Sequence, residues 1–223
     1  SVEQVYSAAL ARPMQSRLLK EWAAGIEVDK MTRIRDALRM GYVDGQTIQQ
    51  MVQRIRGTKA KGYEDGIIQV DRRNAEAVVR TAIAHTAGFT RDRFIEENAS
   101  VIAATVWLST LDIRTTKTIC VPRDGKKYDP VTHKPIGHDM PWGAGPGRAH
   151  WNCRSSSYGA LKSWKSLGID MDELPDSVRS SMDGTVPEST TYLDWIKKQS
   201  AARQDDILGP TRGKLLRGGS LPV

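Results

Sequence analysis

Residues 101–108, Val-Ile-Ala-Ala-Thr-Val-Trp-Leu, mark the point at which the spacing of apolar residues in the sequence changes. This stretch is short and rich in β-branched and aromatic residues, which favours a β-strand. Apolar residues recur at helical spacing before it, and short runs broken by proline and glycine follow it. The sequence therefore predicts a mainly helical α+β fold with one small irregular β-region between residues 100 and 160.

Helical spacing dominates the chain before this strand. The apolar positions predict two consecutive helices between Val2 and Gly25, separated near Pro13, and further helical segments on either side of Gly41. A longer helix is expected over roughly residues 70–97, where apolar side chains share one face. The N-terminal half is therefore predicted to be all helical.

The rest of the chain is more varied. Between residues 120 and 153, proline and glycine are too frequent for a long helix, so short strands and ordered loops are expected, with tryptophan side chains supplying core area. Helical spacing then returns. It predicts a short helix over residues 172–182, a second that begins at Thr190 or Thr191, and a third with Pro210 in its first turn.

Composition limits the class of protein. Of the 223 residues, 39% are hydrophobic and 26% charged, at a mean hydropathy of −0.47, which is enough apolar material for a core and argues against a disordered chain. No window approaches the ~18 consecutive apolar residues of a membrane span. No secretory signal is expected at Ser1, and two cysteines cannot form a disulfide framework. A soluble protein of the cytoplasm or of a virion is expected.

The chain is basic. Lysine and arginine number 33 against 26 acidic residues, which gives a net charge of +7 and predicts salt-dependent attraction to polyanions. The most basic stretch, residues 54–62, is interpreted as a connector or exposed loop, and such a loop is often only a solvated surface. Because no single helix gathers base-reading side chains, DNA binding is expected to be weak and non-specific.

The sharpest group of reactive side chains is Cys120 with the segment His150-Trp151-Asn152-Cys153-Arg154. A tight turn can direct His150 and Cys153 at one ion, and Cys120 would complete three ligands suited to zinc. The fourth ligand would come from one of three other side chains, His133, His138 or Asp124. Two alternatives stay open, namely two buried thiols that pack without a metal and a Cys120–Cys153 disulfide.

Polar residues also follow the predicted strand. Asp112 is expected to cap the next turn, and Arg114 is expected to pair with a carboxylate. Together with Thr115 they are interpreted as a buried hydrogen-bond cluster that holds loops together, with phosphodiester chemistry as the alternative. The sequence contains no P-loop, no nucleophile elbow and no His-Glu-x-x-His motif.

A further set of short motifs is spread through the second half of the chain. The motifs are Val79-Arg80-Thr81, Trp107 to Thr110, Asp112 to Thr115, Cys120, Asp124 to Tyr128, Pro141, His150 to Arg154, Tyr192 to Trp195, Gln199, Ile207 to Arg212 and Leu215. Their order is the one seen in phage head morphogenesis proteins. Over roughly residues 70–218, the chain resembles the Mu F-like minor head protein family.

The resemblance implies a virion protein without catalytic activity. Family members are minor proteins that associate with the portal inside the head during assembly, and some leave with the DNA. We therefore expect residues 1–62 to form a helical region that docks on the portal or capsid, and residues 63–223 to form the head morphogenesis domain. The partners implied are the portal protein, the major capsid protein and weakly bound packaged DNA, with no membrane. Several copies would lie in the head of each virion, after assembly in the host cytoplasm.

The resemblance also bears on the metal and on the main alternative function. Many family members have a second cysteine where this chain has Ser155, and another cysteine or histidine where it has residues 116–118, and both departures weaken the case for zinc. One structural zinc is the only cofactor considered. The alternative function is a zinc-dependent nuclease resembling the HNH type, with His150 as general base and Asn152 as an orienting residue.

Overall fold

The computed structural model describes residue 13, residues 17–172 and residues 177–220. The chain divides into two compact units, residues 1–86 and residues 87–223, and the division falls inside one long helix. The predicted domain boundary at residue 62 lies just before this helix and stays a prediction. The helix predicted nearest the N-terminus falls mostly outside the described residues.

The described part of the first unit is helical. Helix α1 spans Leu19–Val43, helix α2 spans Ile48–Arg56, and helix α3, which continues into the second unit, spans Ile67–Glu97. The long helix predicted over residues 70–97 is thus confirmed. The predicted break at Gly25 is wrong, because α1 runs through it. A glycine inside a helix costs only about 1 kcal/mol relative to alanine, which the cooperative hydrogen bonding of a helix this long outweighs.

Local signals set the ends of α2 and its packing on α1. Thr47 caps the helix, because its hydroxyl accepts from the Gln50 amide while its own amide donates to the Gln50 side chain at 2.8 Å. Gly41 of α1 faces Met51 of α2 so closely that a Cβ on this glycine would lie 2.6 Å from the Met51 side chain. The two helices can approach this closely only because residue 41 has no side chain.

A four-stranded antiparallel sheet forms the centre of the second unit. Strand β1 (Ile102–Leu108) pairs with β2 (Lys127–Tyr128) on one side and β4 (Ser156–Leu161) on the other, and β3 (Pro135–Ile136) pairs with β2. The strand predicted at residues 101–108 is confirmed. Five of the seven residues of β1 are buried, which explains its largely apolar sequence. The mainly helical α+β fold is therefore confirmed.

A two-stranded hairpin lies where a helix was predicted. Strands β5 (Val178–Ser181) and β6 (Gly184–Pro187) are antiparallel, so the helix predicted over residues 172–182 is wrong in its described part. The turn signal is Asp183-Gly184, and Gly184 has a φ of +116°, a conformation that glycine readily adopts. The helix prediction relies on three apolar residues spaced four positions apart, and this helical spacing is a coincidence. One of the three, Leu174, lies outside the described residues.

Three short helices end the chain. Helix α4 spans Tyr192–Lys197, α5 spans Ala201–Leu208 and α6 spans Pro210–Arg217. Thr191 caps α4 and Pro210 begins α6, as the sequence predicts. Their buried side chains form one apolar cluster with a residue of the loop after β1, and its members are Leu111, Tyr192, Trp195, Ile196, Ile207 and Leu216.

A second core cluster surrounds the predicted metal ligands. It contains Trp107, Cys120, Tyr128, Trp142 and Cys153, and the two indole rings meet edge to face with centroids 5.4 Å apart. These tryptophans supply core area as expected, whereas the other two of the region, Trp151 and Trp164, are only half-buried. Among the described residues, no helix has the length and apolar character needed to cross a membrane.

Candidate metal centre

Two tight turns, one after β1 and one before β4, present the three predicted ligands. In the first turn, the amides of Cys120 and Val121 both donate to the carbonyl of Thr116, at 3.0 and 3.1 Å. Pro122 then lies in the first turn of a short 3₁₀ helix, Val121–Arg123. These bonds fix the backbone of Cys120 and direct its side chain into the core.

The second turn contains the other two ligands. The amide of Cys153 donates to the carbonyl of His150 at 3.2 Å, which closes a β-turn. Its third residue, Asn152, has a φ of +55°, and asparagine is one of the few residues besides glycine that tolerate this region. The residue that the sequence suggested as an orienting group thus has a clear role in shaping the backbone.

The three ligand atoms converge, as the sequence predicts. Cys120 Sγ lies 3.2 Å from His150 Nε2 and 3.8 Å from Cys153 Sγ, and all three atoms lie within 4.8 Å of one another. Both thiols are free, and their separation far exceeds the ~2.05 Å of a disulfide bond. Within the described ranges, no other group of three histidine, cysteine or acidic side chains is as close.

The hydrogen bonds of His150 define its tautomer. Nδ1 lies 2.8 Å from the carbonyl oxygen of Trp151, and because a carbonyl only accepts, Nδ1 carries a proton. In the neutral ring, Nε2 then offers its lone pair toward Cys120 Sγ and the Thr116 hydroxyl, which lies 2.8 Å away. A histidine that ligates a metal through one nitrogen commonly donates from the other in this way.

A hydrogen bond links the two thiols, whose sulfur atoms lie 3.8 Å apart. A hydrogen bond from Cys120 lowers the pKa of Cys153; burial opposes this shift, and the backbone amides of Ser155 and Gly147 add to it. The same hydrogen bond, together with burial, raises the pKa of Cys120. The site therefore stabilises one thiolate, the form in which cysteine binds a metal.

A small cavity of about 10 Å³ adjoins these atoms. Besides Cys120 and His150, its walls include Thr116, Arg114 and Arg154. The space is close to the size of one water molecule or one ion. A small species can therefore reach the ligand atoms.

None of the three proposed fourth ligands joins the group. Both ring nitrogens of His138 bond to the backbone, through the Lys127 carbonyl and the Met140 amide. His133 stacks on the Trp142 ring with centroids 4.7 Å apart. The Asp124 carboxylate forms an ion pair with a buried arginine. The described histidine, cysteine and acidic residues thus supply three ligands and no fourth.

The buried arginine is Arg179, which forms two ion-pair contacts with Asp124. Its Nη1 and Nη2 donate to Oδ2 and Oδ1 of Asp124, at 3.0 and 3.1 Å. The same carboxylate accepts from the amides of Ser109 and Tyr192, both at 2.6 Å. Asp124 therefore joins β1, the hairpin and the start of α4 through four hydrogen bonds.

Asp112 forms a second such connection. Its carboxylate caps the next turn, as predicted, and accepts from the amides of Arg114 and Thr115. The expectation that the Arg114 side chain pairs with a carboxylate is not met. Instead, Nη1 and Nη2 of Arg154 donate to the two carboxylate oxygens of Asp112. Burial opposes ionisation of Asp112, but these hydrogen bonds hold its pKa below the usual range.

Sequence reasoning missed Arg179 and Thr116. Arg179 was assigned to a helix, and nothing in the sequence links it to a carboxylate 55 residues away. The Thr116 hydroxyl contacts His150 across 34 residues. The neighbours of Asp124 in the sequence are Arg123, Gly125 and Lys126, so no local pattern marks it as a buried carboxylate that requires a distant partner.

No protein-family model, curated protein or solved structure matches this chain. The resemblance carried by its short motifs stays a prediction. The chemistry of the site therefore has to be argued from the residues described above.

Proposed function

We propose that this chain is a non-catalytic minor head protein of a tailed phage, associated with the portal inside the head and acting in head assembly. One observation supports this proposal above the others. The residues that carry the family resemblance are scattered in sequence, yet they bond to one another in the second unit. Asp124 reaches Tyr192 across 68 residues, and Asp112 reaches Arg154 across 42.

These contacts engage polar groups of the motifs with one another. The Asp124 carboxylate accepts four hydrogen bonds, and the Tyr192 hydroxyl donates to the Asp112 carbonyl at 2.7 Å. Thr110 likewise donates to the carbonyl of Arg154. Side chains committed to one another in this way hold irregular loops in place, which suits a protein that acts through its surfaces.

Within this proposal, Cys120, His150 and Cys153 bind one structural zinc ion. Tetrahedral zinc with bonds of about 2.3 Å to sulfur places two thiolates about 3.8 Å apart. The two Sγ atoms are 3.8 Å apart, and the Nε2 lone pair of His150 is directed at the Cys120 sulfur. Solvent entering through the small cavity would take the fourth position. The ion would replace the hydrogen bond between the thiols and join the two turns.

Virion composition tests the assembly role. We expect quantitative mass spectrometry of purified virions from the phage that encodes this chain to find it at a stoichiometry comparable to that of the portal protein. The chain should also co-purify with DNA-free heads. Its absence from heads, or an abundance like that of the major capsid protein, would contradict the proposal.

Elemental analysis of the purified chain tests the metal. We expect one zinc per chain, lost in His150→Ala and in Cys153→Ser. His138→Ala is the matched control, because His138 contacts only backbone groups and an aromatic ring and should not affect zinc content. A wild-type chain without zinc would leave the packing of two thiols as the correct interpretation.

A cleavage assay separates this function from the nuclease alternative. A general base needs a free lone pair facing the nucleophile, but in the proposed site the Nε2 lone pair of His150 binds the zinc ion and Nδ1 donates to the Trp151 carbonyl. We therefore expect no cleavage of duplex DNA in magnesium or zinc. Cleavage that disappears in His150→Ala would favour the nuclease.

A further inference from the structure

A groove in the first unit lies between α2 and the loop that follows it. Its volume is about 440 Å³, within the range of ligand-binding clefts. Six side chains form its walls, namely Gln49, Val52, Gln53, Arg56, Lys59 and Tyr63. Two are cationic and two are amides, and no acidic side chain lines the groove in this described part of the chain.

The α2 wall is one face of the helix. Gln49, Val52, Gln53 and Arg56 are spaced i, i+3, i+4 and i+7, which places them in one row along the helix. All four are exposed to solvent. The row offers amide and guanidinium donors beside an apolar patch, the combination that contacts phosphate oxygens and the sugars between them.

The opposite wall is a loop with a fixed shape. Asp65 accepts from the amide and hydroxyl of Thr58, at 2.7 and 2.9 Å, and these bonds close the loop and hold the pKa of Asp65 below its usual range. Gly66 approaches the backbone of Arg56 so closely that a Cβ there would lie 2.3 Å from it. The two acidic residues that follow Tyr63 are therefore both engaged, Asp65 with Thr58 and Glu64 with Arg73.

Tyr63 shows that this shape is maintained against backbone strain. It has a φ of +63°, a region that tyrosine rarely adopts, and its amide donates to the Thr58 carbonyl at 2.8 Å. The conformation places the Tyr63 ring 4.5 Å from the guanidinium of Arg56. Arg56 is thus positioned before any ligand arrives, which lowers the entropic cost of binding an anion.

We infer that this groove binds the phosphodiester backbone of a nucleic acid, with Arg56 and Lys59 each neutralising one phosphate. Gln49 and Gln53 donate to phosphate or sugar oxygens, while Val52 and Tyr63 pack against the sugars. Because no base edge needs to be read, binding is independent of sequence. The choice of duplex DNA as the ligand rests on the proposed function, in which the chain lies next to packaged DNA.

A salt titration of DNA binding tests the inference. Fluorescence anisotropy would follow the full-length chain on an unrelated duplex and on a single strand, from 50 to 200 mM salt. Each phosphate contact contributes about 0.9 to the slope of log affinity against log salt. We expect Arg56→Gln with Lys59→Gln to lower the slope on duplex DNA by about 1.8 and the affinity at 50 mM salt at least tenfold.

A matched control removes the same charge elsewhere. Arg212→Gln with Lys214→Gln changes two exposed residues of α6, and we expect it to alter the slope by less than half as much. Val52→Glu is a second groove variant, which places an acid in the groove without removing an ordered contact and should also weaken binding. Circular dichroism confirms that each variant is folded.

Several results would overturn the inference. Equal losses in the groove and control variants would mean that net charge alone attracts DNA. Binding by wild type that is insensitive to salt, or a groove variant that binds like wild type, would also refute it. Tighter binding to the single strand would keep the phosphodiester site but exclude duplex as its ligand. The titration uses the purified chain, so its result does not depend on the measurement of virion composition. Absence of the chain from virions would refute the proposed function alone.

Discussion

Replacing Asp124 by asparagine should strongly destabilise the second unit. The side chains of Asp124 and Arg179 are 1% and 5% exposed, so the ion pair is almost free of solvent. Asparagine keeps the shape but replaces one carboxylate oxygen by an NH₂ group. If that group stands at the Oδ2 position, it meets two other donors, the Tyr192 amide and Arg179 Nη1.

The magnitude follows from the charge left behind. Breaking a buried ion pair by removing one partner costs about 3–5 kcal/mol, because the remaining charge has no counter-ion. Arg179 keeps the carbonyls of Ser109 and Thr190 and one amide oxygen at position 124 as acceptors, and none of them carries a negative charge. Since each kcal/mol lowers Tm by about 2–4 °C in a chain of this size, Tm should fall by roughly 6–20 °C.

Urea unfolding followed by tryptophan fluorescence measures this loss, because Trp107 and Trp195 are buried in the second unit. The control is Asp129→Asn, because the amide oxygen can still accept from the amides of Val131 and Thr132, so this variant should cost less than about 1 kcal/mol. Adding Arg179→Met to Asp124→Leu should recover much of the stability, because an apolar pair leaves no buried charge. Equal losses in Asp124→Asn and Asp129→Asn would refute the assignment of Asp124 as a structural centre.

Three further substitutions test local features. Asn152→Ala should cost about 1 kcal/mol in urea unfolding because of its positive φ, whereas Asn152→Gly should be neutral or stabilising, and equal effects would contradict the turn geometry. Thr191→Ala should cost about 1 kcal/mol by removing the α4 cap, while Thr191→Ser should not. Asp112 has a lowered pKa, so its contribution is fully present above its ordinary pKa of 3.8 and is lost as pH falls through the lower folded value. Wild type should therefore lose its stability advantage over Asp112→Asn only in strong acid, as melting curves against pH would show.

Local signals explain what the sequence predicted correctly. The β1 strand, the long helix α3, the cap at Thr191 and the start of α6 at Pro210 each depend on residues within a few positions of one another. The Cys–His group was predictable for a similar reason, since the spacing of His150 and Cys153 is local and only one other cysteine exists.

The predictions from sequence are wrong where contacts between distant residues determine the local structure. The helix predicted over residues 172–182 competes with a hairpin whose Arg179 is held by a carboxylate 55 residues earlier. The expected pairing of Arg114 with a carboxylate is not met, and the arginine that binds Asp112 lies 42 residues further along the chain. Neither contact leaves a periodic trace in the sequence, because each requires only one charged residue in each segment.

The segment 109–125 links these observations. It contains little regular hydrogen bonding, yet each of its key side chains is held by residues far along the chain. Asp112 is bound by Arg154, Cys120 by His150 and Cys153, and Asp124 by the hairpin and α4. An ion bound by Cys120 would restrain the same segment as the two carboxylates. Because a ligand that binds only the folded state stabilises it, removal of a zinc ion held there would lower the stability of this loop together with that of the motifs that carry the family resemblance.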